Sequence, residues 1–366
     1  MKNMFFVSLL FIAVLFTAYF TGCPAASQTV TTPSDDTGKT QRGNNGISIG
    51  ASGFVIEGNT LKKYNGTDET VIVPDMVNVI GEKAFWGNTT AKRIVLPPSL
   101  EEIGEDAFAH TKLSVITIPK SVTKIGGWAF FCSAVEKITF EADSALVAIP
   151  ESFCQQCKAL TEVTLPEKLE SIGTQAFDEC ASLAAIQLPD SIHTIGNEAF
   201  RETALATVTL PANVQVLGAR AFYKNEKLTA VKASHVSVQD DWKASLDDNG
   251  VQSYCFSDNP RLTEVELPDR VTHLKEGCLL GMAQLRKVVL PSSVADIGER
   301  VVAGSARLKV HVKQPDPSRI AVKVKTNDSF FERESGFSLV VPSGKGDAFK
   351  EASGWKEYKD YINEES

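Results

Sequence analysis

Four of the seven cysteines lie close enough together in the chain to suggest chemistry. Cys154-Gln155-Gln156-Cys157 is a Cys-x-x-Cys pair. Redox enzymes place that spacing at a helix start, where the helix dipole lowers a thiol pKa. Here the pair sits in the turn after Phe153, inside a repeat. Zinc would need two further thiolates, and Cys132 and Cys180 flank the pair at similar phases, so a four-Cys cluster is the metal reading. Small thiols that pack or satisfy a turn are the simpler reading, and a disulfide among the four stays open in an oxidising compartment. Cys255 and Cys278 stand 23 residues apart in one register, as a disulfide or as two buried thiols. The histidines His110, His193, His235, His273 and His311 are scattered without a partner at metal-ligand spacing. P-loop and His-Glu-x-x-His motifs are missing from the sequence. The expectation is a binding protein, not an enzyme, with no cofactor and no metal.

The chain that must position these residues has 366 of them and a formal net charge of -8. An acidic balance argues against a nucleic-acid groove, which needs a basic field to neutralise phosphates. Residues 4–20 are apolar, follow Lys2 and end at Gly22-Cys23. Residues 1–22 therefore read as a secretory signal peptide. A small residue followed by cysteine is similar to the lipobox of bacterial lipoproteins, which implies acylation of Cys23. Phe20 stands where that box usually has Leu, and cleavage near Ala25-Ala26 is the alternative. Residues 23–46 hold small and polar side chains that cannot offset their ordering entropy, so they read as a tether between lipid and domain.

Beyond the tether, one phrase recurs. Ile-Gly-x-x-Ala-Phe ends at Phe85, Phe108 and Phe130, then at Ser152-Phe153, Phe177, Phe200 and Phe222. It decays to Cys255-Phe256, Cys278-Leu279 and Val301-Val302, giving ten registrations about 23 residues apart. A second phrase, apolar-x-apolar-Pro, runs in phase with it, as in Ile116-Thr117-Ile118-Pro119 and Val208-Thr209-Leu210-Pro211. Period-two alternation closed by proline is a short strand. The glycine after Ile is expected to ease a backbone turn. One such coil has no core, and only stacking its copies at the strand spacing buries the Phe and Ala positions.

The combined phrase Leu-x-x-Ile-x-Leu-Pro-x-x-Leu/Val-x-x-Ile-Gly-x-x-Ala-Phe resembles the treponemal, BspA-like class of leucine-rich repeats. The resemblance implies a right-handed leucine-rich repeat solenoid of about 23-residue coils, with a parallel β-sheet on one face and a cap at each end. The expected divisions are an N-terminal cap at 47–73, repeats at 74–312 and a C-terminal cap at 313–366, where Gly354-Trp355-Lys356 resembles the closing segment of that class. The resemblance further implies a bacterial surface or secreted protein, often one that adheres to host proteins.

Stacked strands put their outward residues in columns. One column runs through Thr117, Thr139, Thr164, Gln187 and Thr209, and its neighbour through Val115, Lys137, Glu162 and Thr207. A flat, weakly charged, Thr-rich face is the candidate binding surface, because Thr and Val cost less to bury than Lys and Glu. Thr is also simply a good strand residue. An 11-residue excess near 234–250 carries Asp240-Asp241-Trp242 and Asp247-Asp248-Asn249-Gly250, which lacks the alternating ligands of a calcium loop and reads as a solvated bulge. The expected function is a lipid-anchored protein of the outer membrane or cell surface that binds a host, matrix or envelope protein through the sheet face. A periplasm-facing envelope scaffold and a small apolar or glycan ligand are the alternatives. The sequence leaves the oligomeric state open.

Overall fold

The computed structural model describes residues 47–49, 53–234, 250–322, 331 and 336–366. The expected signal peptide, Cys23, the tether and most of the expected insertion lie outside the described residues. The chain from residue 53 onward is a β-solenoid of about 12 turns with little helix. Most turns carry a face strand, a bend often opened by proline, a two-residue back strand and a tight turn that tucks a small-large pair such as Ala-Phe inward. The face strands form a five-stranded sheet and a seven-stranded sheet. The first comprises Thr70–Ile72, Arg93–Val95, Val115–Ile118, Lys137–Phe140 and Glu162–Thr164. The second begins at Thr207–Leu210 and Ala230–Ala233 and runs through Lys309–Val312 to Ser338–Val341 and Ile362–Glu364. All neighbours within these two sheets pair in parallel.

The two ends differ in construction. The hairpin Phe54–Glu57 and Thr60–Tyr64 is antiparallel and leads into the parallel back strand Val79–Ile80. Tyr64 places its ring 5.3 Å from Phe85 and so closes the aromatic column with a phenol. At the other end Trp355, Tyr358 and Phe349 are fully buried. The Tyr358 hydroxyl donates to the Phe331 carbonyl and accepts from the Phe331 amide. This aromatic closure covers the apolar edge that the last coil would otherwise show to water.

Between the ends the core is a file of phenylalanines. Phe85, Phe108 and Phe130 stack with centroids 5.3 and 5.1 Å apart. Phe177, Phe200, Phe222 and Phe256 continue at 5.4 Å with interplanar angles of 7°, 13° and 6°. One coil breaks the file. Positive-φ residues mark each tight turn in pairs four apart, such as Trp128 and Cys132, Gln175 and Glu179, and Ser152 and Gln156. By that ruler Cys154 occupies the Phe slot and Phe153 the Ala slot, one residue away from the register that the sequence suggests. The amide ladder agrees: Phe130 N donates to Phe153 O, as Phe108 N does to Ala129 O. Phe153 therefore meets Phe130 and Phe177 edge-on, at 76° and 78°. The large and small side chains exchange places and the core stays filled.

The Ile-Gly glycines also serve differently from expectation. Their φ values are not positive. They are small because the preceding coil passes directly over them. A Cβ on Gly218 would lie 2.4 Å from Asn197 N, and one on Gly126 would lie 2.5 Å from Glu105 N. The back strands follow this contact. They run continuously from Phe54–Glu57 to Lys124–Ile125, stop, and resume from Ala148–Ile149 to Ala321–Val322. The stop falls where Ile138 to Ile149 takes 11 residues instead of the nine between Ile116 and Ile125, and where Pro150 replaces the glycine. The face sheet stops two coils later. Ile186-Gln187-Leu188 forms no strand, although its sequence fits the strand phrase and nothing in it marks the interruption.

The glycine contact yields a paired prediction. Gly126→Ala should cost about 2–3 kcal/mol in denaturant unfolding, because the opposing atoms are backbone and cannot turn aside. Gly127→Ala meets the flexible Glu151 side chain at 3.2 Å and the Glu151 carbonyl oxygen at 3.4 Å, looser contacts than at Gly126, and should stay within about 1 kcal/mol of neutral. Equal losses at the two positions would contradict the close-approach reading.

Candidate functional site

The structure brings most of the outward residues together in the order their spacing implies. Thr117, Thr139 and Thr164 are direct cross-strand neighbours, and so are Val115, Lys137 and Glu162. Lys137 Nζ lies 2.7 Å from Glu162 Oε1, so the two charges on this stretch neutralise each other. Exposed ion pairs of this kind add little stability, but they remove net charge from the face. Towards the N-terminus the Thr117 column turns apolar, with Val95 39% and Ile72 68% exposed, while the Val115 column continues into the exposed Arg93. Towards the C-terminus they turn charged, with Glu264 and Lys287 paired at 2.6 Å and Lys313 3.5 Å from Glu266. The Thr117 column thus grades from apolar through Thr-rich to ionic along the solenoid.

The face is not one sheet. Thr207 and Thr209 belong to the second sheet, and Gln187 lies exposed on the unpaired segment between the two. The continuous stripe expected from Val115 to Thr209 is therefore two ladders, with Val115 to Glu162 and Thr117 to Thr164 on the first. The physical reason is local: residues 185–188 donate no backbone hydrogen bond to either neighbour among the described residues.

The cysteines sit in the core. Cys154, Cys157, Cys180, Cys255 and Cys278 are buried free thiols. Cys157 Sγ donates to Phe130 O at 2.9 Å and Cys180 Sγ to Cys154 O at 3.1 Å. Asn225 and Asn259 hold the same slot in later coils and donate to Phe200 O and Phe222 O, each at 2.9 Å. Thiol and amide thus do the same work, bonding a turn carbonyl of the preceding coil that would otherwise be buried without a donor. Burial raises the Cys154, Cys180 and Cys255 thiols well above their ordinary range, and in Cys278 as well. Burial works on Cys157 in the same direction, but hydrogen bonds with Cys154 and Ser133 outweigh it and draw that thiol down. Cys132 is different in position: it is half-buried one residue earlier in its turn, with Sγ 3.1 Å from Gln156 Oε1. Cys255 and Cys278 occupy the Ala slot of adjacent coils as two thiols, not a disulfide.

One charged cluster escaped the sequence reading. Arg201, one residue after Phe200, is nearly buried on the outer side of the tight turns. Its Nε lies 2.7 Å from Asp178 Oδ1, its Nη2 2.9 Å from Glu179 and its Nη1 2.9 Å from Glu202. Gln155 Nε2 donates to Asp178 at 3.1 Å. The carboxylates hold the guanidinium charged. Burial pushes the Asp178 carboxyl up to about 6, against the pull of Arg201. The signal was available in the residue after each Phe, Asp178 and Arg201 in successive coils, but only stacking makes them neighbours.

Comparison with known proteins follows the fold. The family profile described as BspA type leucine rich repeat region, in six copies, matches residues 59–148, 147–240 and 248–321. A leucine-rich repeat protein from Bacteroides ovatus superposes with a TM-score of 0.53 at 19% identity, covering 84% of this chain and 87% of that one. A leucine rich cell surface protein from Faecalibacterium prausnitzii gives 0.38 at 19% identity over 90% and 94% of the two chains. The pneumococcal vaccine antigen PcpA gives 0.39 at 20% identity over 90% and 98%. No curated protein matches the sequence. Among the described residues no helix is long and apolar enough to cross a membrane.

The Arg201 cluster gives a pH-dependent prediction. Asp178 titrates higher in the fold than in the unfolded chain, so its contribution is fully present below about pH 4 and is lost as pH rises through about 6. Arg201→Met strands the Asp178 carboxylate and should cost about 3–5 kcal/mol at pH 8. The cost should be smaller at pH 5, where Asp178 takes up a proton. Urea unfolding of this variant at the two pH values checks both signs, and a larger loss at pH 5 would contradict the assignment.

Proposed function

Because the chain belongs to the BspA-type leucine-rich repeat family, we propose that it is an exported cell-surface protein that binds another protein through the first face sheet. The observation that carries this reading is the pair of registered outward columns, Thr117–Thr139–Thr164 beside Val115–Lys137–Glu162. They form a flat patch whose two charges, Lys137 and Glu162, are paired to each other, flanked by the exposed Ile72, Val95 and Arg93. A partner laid across the coils covers many of these residues at once, so modest contacts per coil sum to a stable interface. Acylation of Cys23 would hold the protein at the envelope, since two or more acyl chains give a lasting anchor where a single one does not. Adhesion to a host or matrix protein is the use to which this reading puts the face. No step of it needs a cofactor or a reaction.

The test is binding to immobilised matrix and plasma proteins, with Thr117→Lys/Thr139→Lys as the variant and circular dichroism to show that it folds. Two ammonium groups in the middle of the patch should weaken a saturable interaction at least tenfold. Binding that survives the variant would move the interface off this face. Binding to no member of the panel, with surface proteolysis failing to reach the protein on intact cells, would replace the adhesion reading with the envelope scaffold.

A further inference from the structure

The interruption of the face sheet leaves more than a gap in a ladder. Glu162–Thr164 ends the first sheet and Thr207–Leu210 begins the second, so each presents one edge with no strand paired to it. A cleft of about 960 Å³ opens beside the first edge, with Val163, Thr164 and Leu165 on one wall and Gln187, Leu188 and Pro189 on the other. A smaller cleft of about 400 Å³ lies beside the second edge, between residues 185–188 and Thr207 and Thr209. The back strands beneath stay paired throughout, Ser171–Ile172 with Thr194–Ile195 and those with Val216–Leu217. The coils are therefore held together at the back and parted at the face.

The larger cleft has a chemical character. Its apolar wall includes Val147, which is 47% exposed. Its rim carries the carboxylates of Glu167, Glu170 and Asp190 against the single ammonium of Lys168. Asn213, completely buried, also lines it. The Asn213 Nδ2 donates to Asp190 O at 2.9 Å, and its Oδ1 has no hydrogen-bond partner. A buried acceptor left without a donor is costly, and an entering N–H group would relieve it.

We infer that this cleft binds an extended, basic peptide segment of a partner protein, which pairs its backbone with the free edge of Glu162–Thr164 and sets its Lys or Arg side chains against Glu167, Glu170 and Asp190. The free edge supplies the main-chain bonds, as in other cases of strand addition, and the acidic rim supplies the preference. A volume of this size suits a short segment, not a whole domain. The inference rests on the reading of the sheet face as the binding surface and narrows it to one coil and one partner chemistry.

The experiment uses the full chain and three blocked octapeptides: alternating Lys and Val, alternating Glu and Val, and the Lys–Val peptide N-methylated at alternate residues. Calorimetry should show saturable binding of the first, at least tenfold weaker binding of the second, and loss of binding for the third, which keeps its charge but lacks the amide donors. Glu170→Lys/Asp190→Lys should weaken the Lys–Val peptide at least tenfold, while Asp347→Lys/Glu351→Lys, which reverses two exposed carboxylates outside the cleft, should leave it within twofold. Equal binding of all three peptides, binding of none, or indifference to the charge reversal would overturn the inference. The two readings fail separately. Peptide binding without any protein partner sinks the face reading alone. A protein interaction lost in the Thr→Lys variant without peptide binding sinks the cleft alone.

Discussion

The contact on which the structure depends is the passage of one coil's backbone directly over the glycine of the next. A coil of about 23 residues has no interior, so its stability is its contact with neighbours. At Gly104, Gly126, Gly173, Gly196 and Gly218 that contact leaves no room for a Cβ. Close approach at the back fixes the spacing of the back strands. The spacing brings successive phenylalanine rings to about 5.4 Å and lets the residue three places after each ring reach a carbonyl of the coil before. Cys157, Cys180, Asn225 and Asn259 are interchangeable in that slot because each offers one short-reach donor. The thiols that looked like a metal or redox site are thus a consequence of stacking.

The same constraint explains why irregularities are absorbed rather than propagated. The exchange of Phe153 and Cys154 shifts the aromatic file from stacked to edge-on for two contacts and then releases it. The two additional residues before Ile149 interrupt the back strands at one point only. The face interruption at residues 185–188 lies over unbroken back strands. A solenoid with backbone contact on one side can open on the other without losing its register, and that is where a ligand gains access.

The repeat period, the strand phrase and the columns of outward residues were legible because each is a periodicity, and periodicity survives without coordinates. Thr117, Thr139 and Thr164 were predicted neighbours and are neighbours. The rest depended on quantities that residue spacing does not contain. The register of Phe153 was misread by one residue because a Ser-Phe pair imitates Ala-Phe, and the φ-positive pair Ser152 and Gln156 corrects it. The role of the glycines was misread because absence of a side chain serves both turns and close contacts. The Arg201 cluster is formed by residues 22 and 23 positions apart, none of which is unusual alone. The parting of the face at Gln187 has no counterpart in a strand phrase that fits its neighbours.

The central claim is that the coils are bonded at the back and parted at the face around residues 185–188. Amide hydrogen exchange measured by NMR on the native protein addresses it residue by residue, because exchange reports local opening. The amides of Ile186, Gln187 and Leu188 should exchange far faster than those of Thr164 and Val208 in the flanking face strands, each of which donates towards its paired neighbour. Within the same coil, Ile195 in the back strand should be as protected as Ile172 and Leu217. Uniform protection across Thr164, Gln187 and Val208 would mean a continuous face sheet, and would contradict the account.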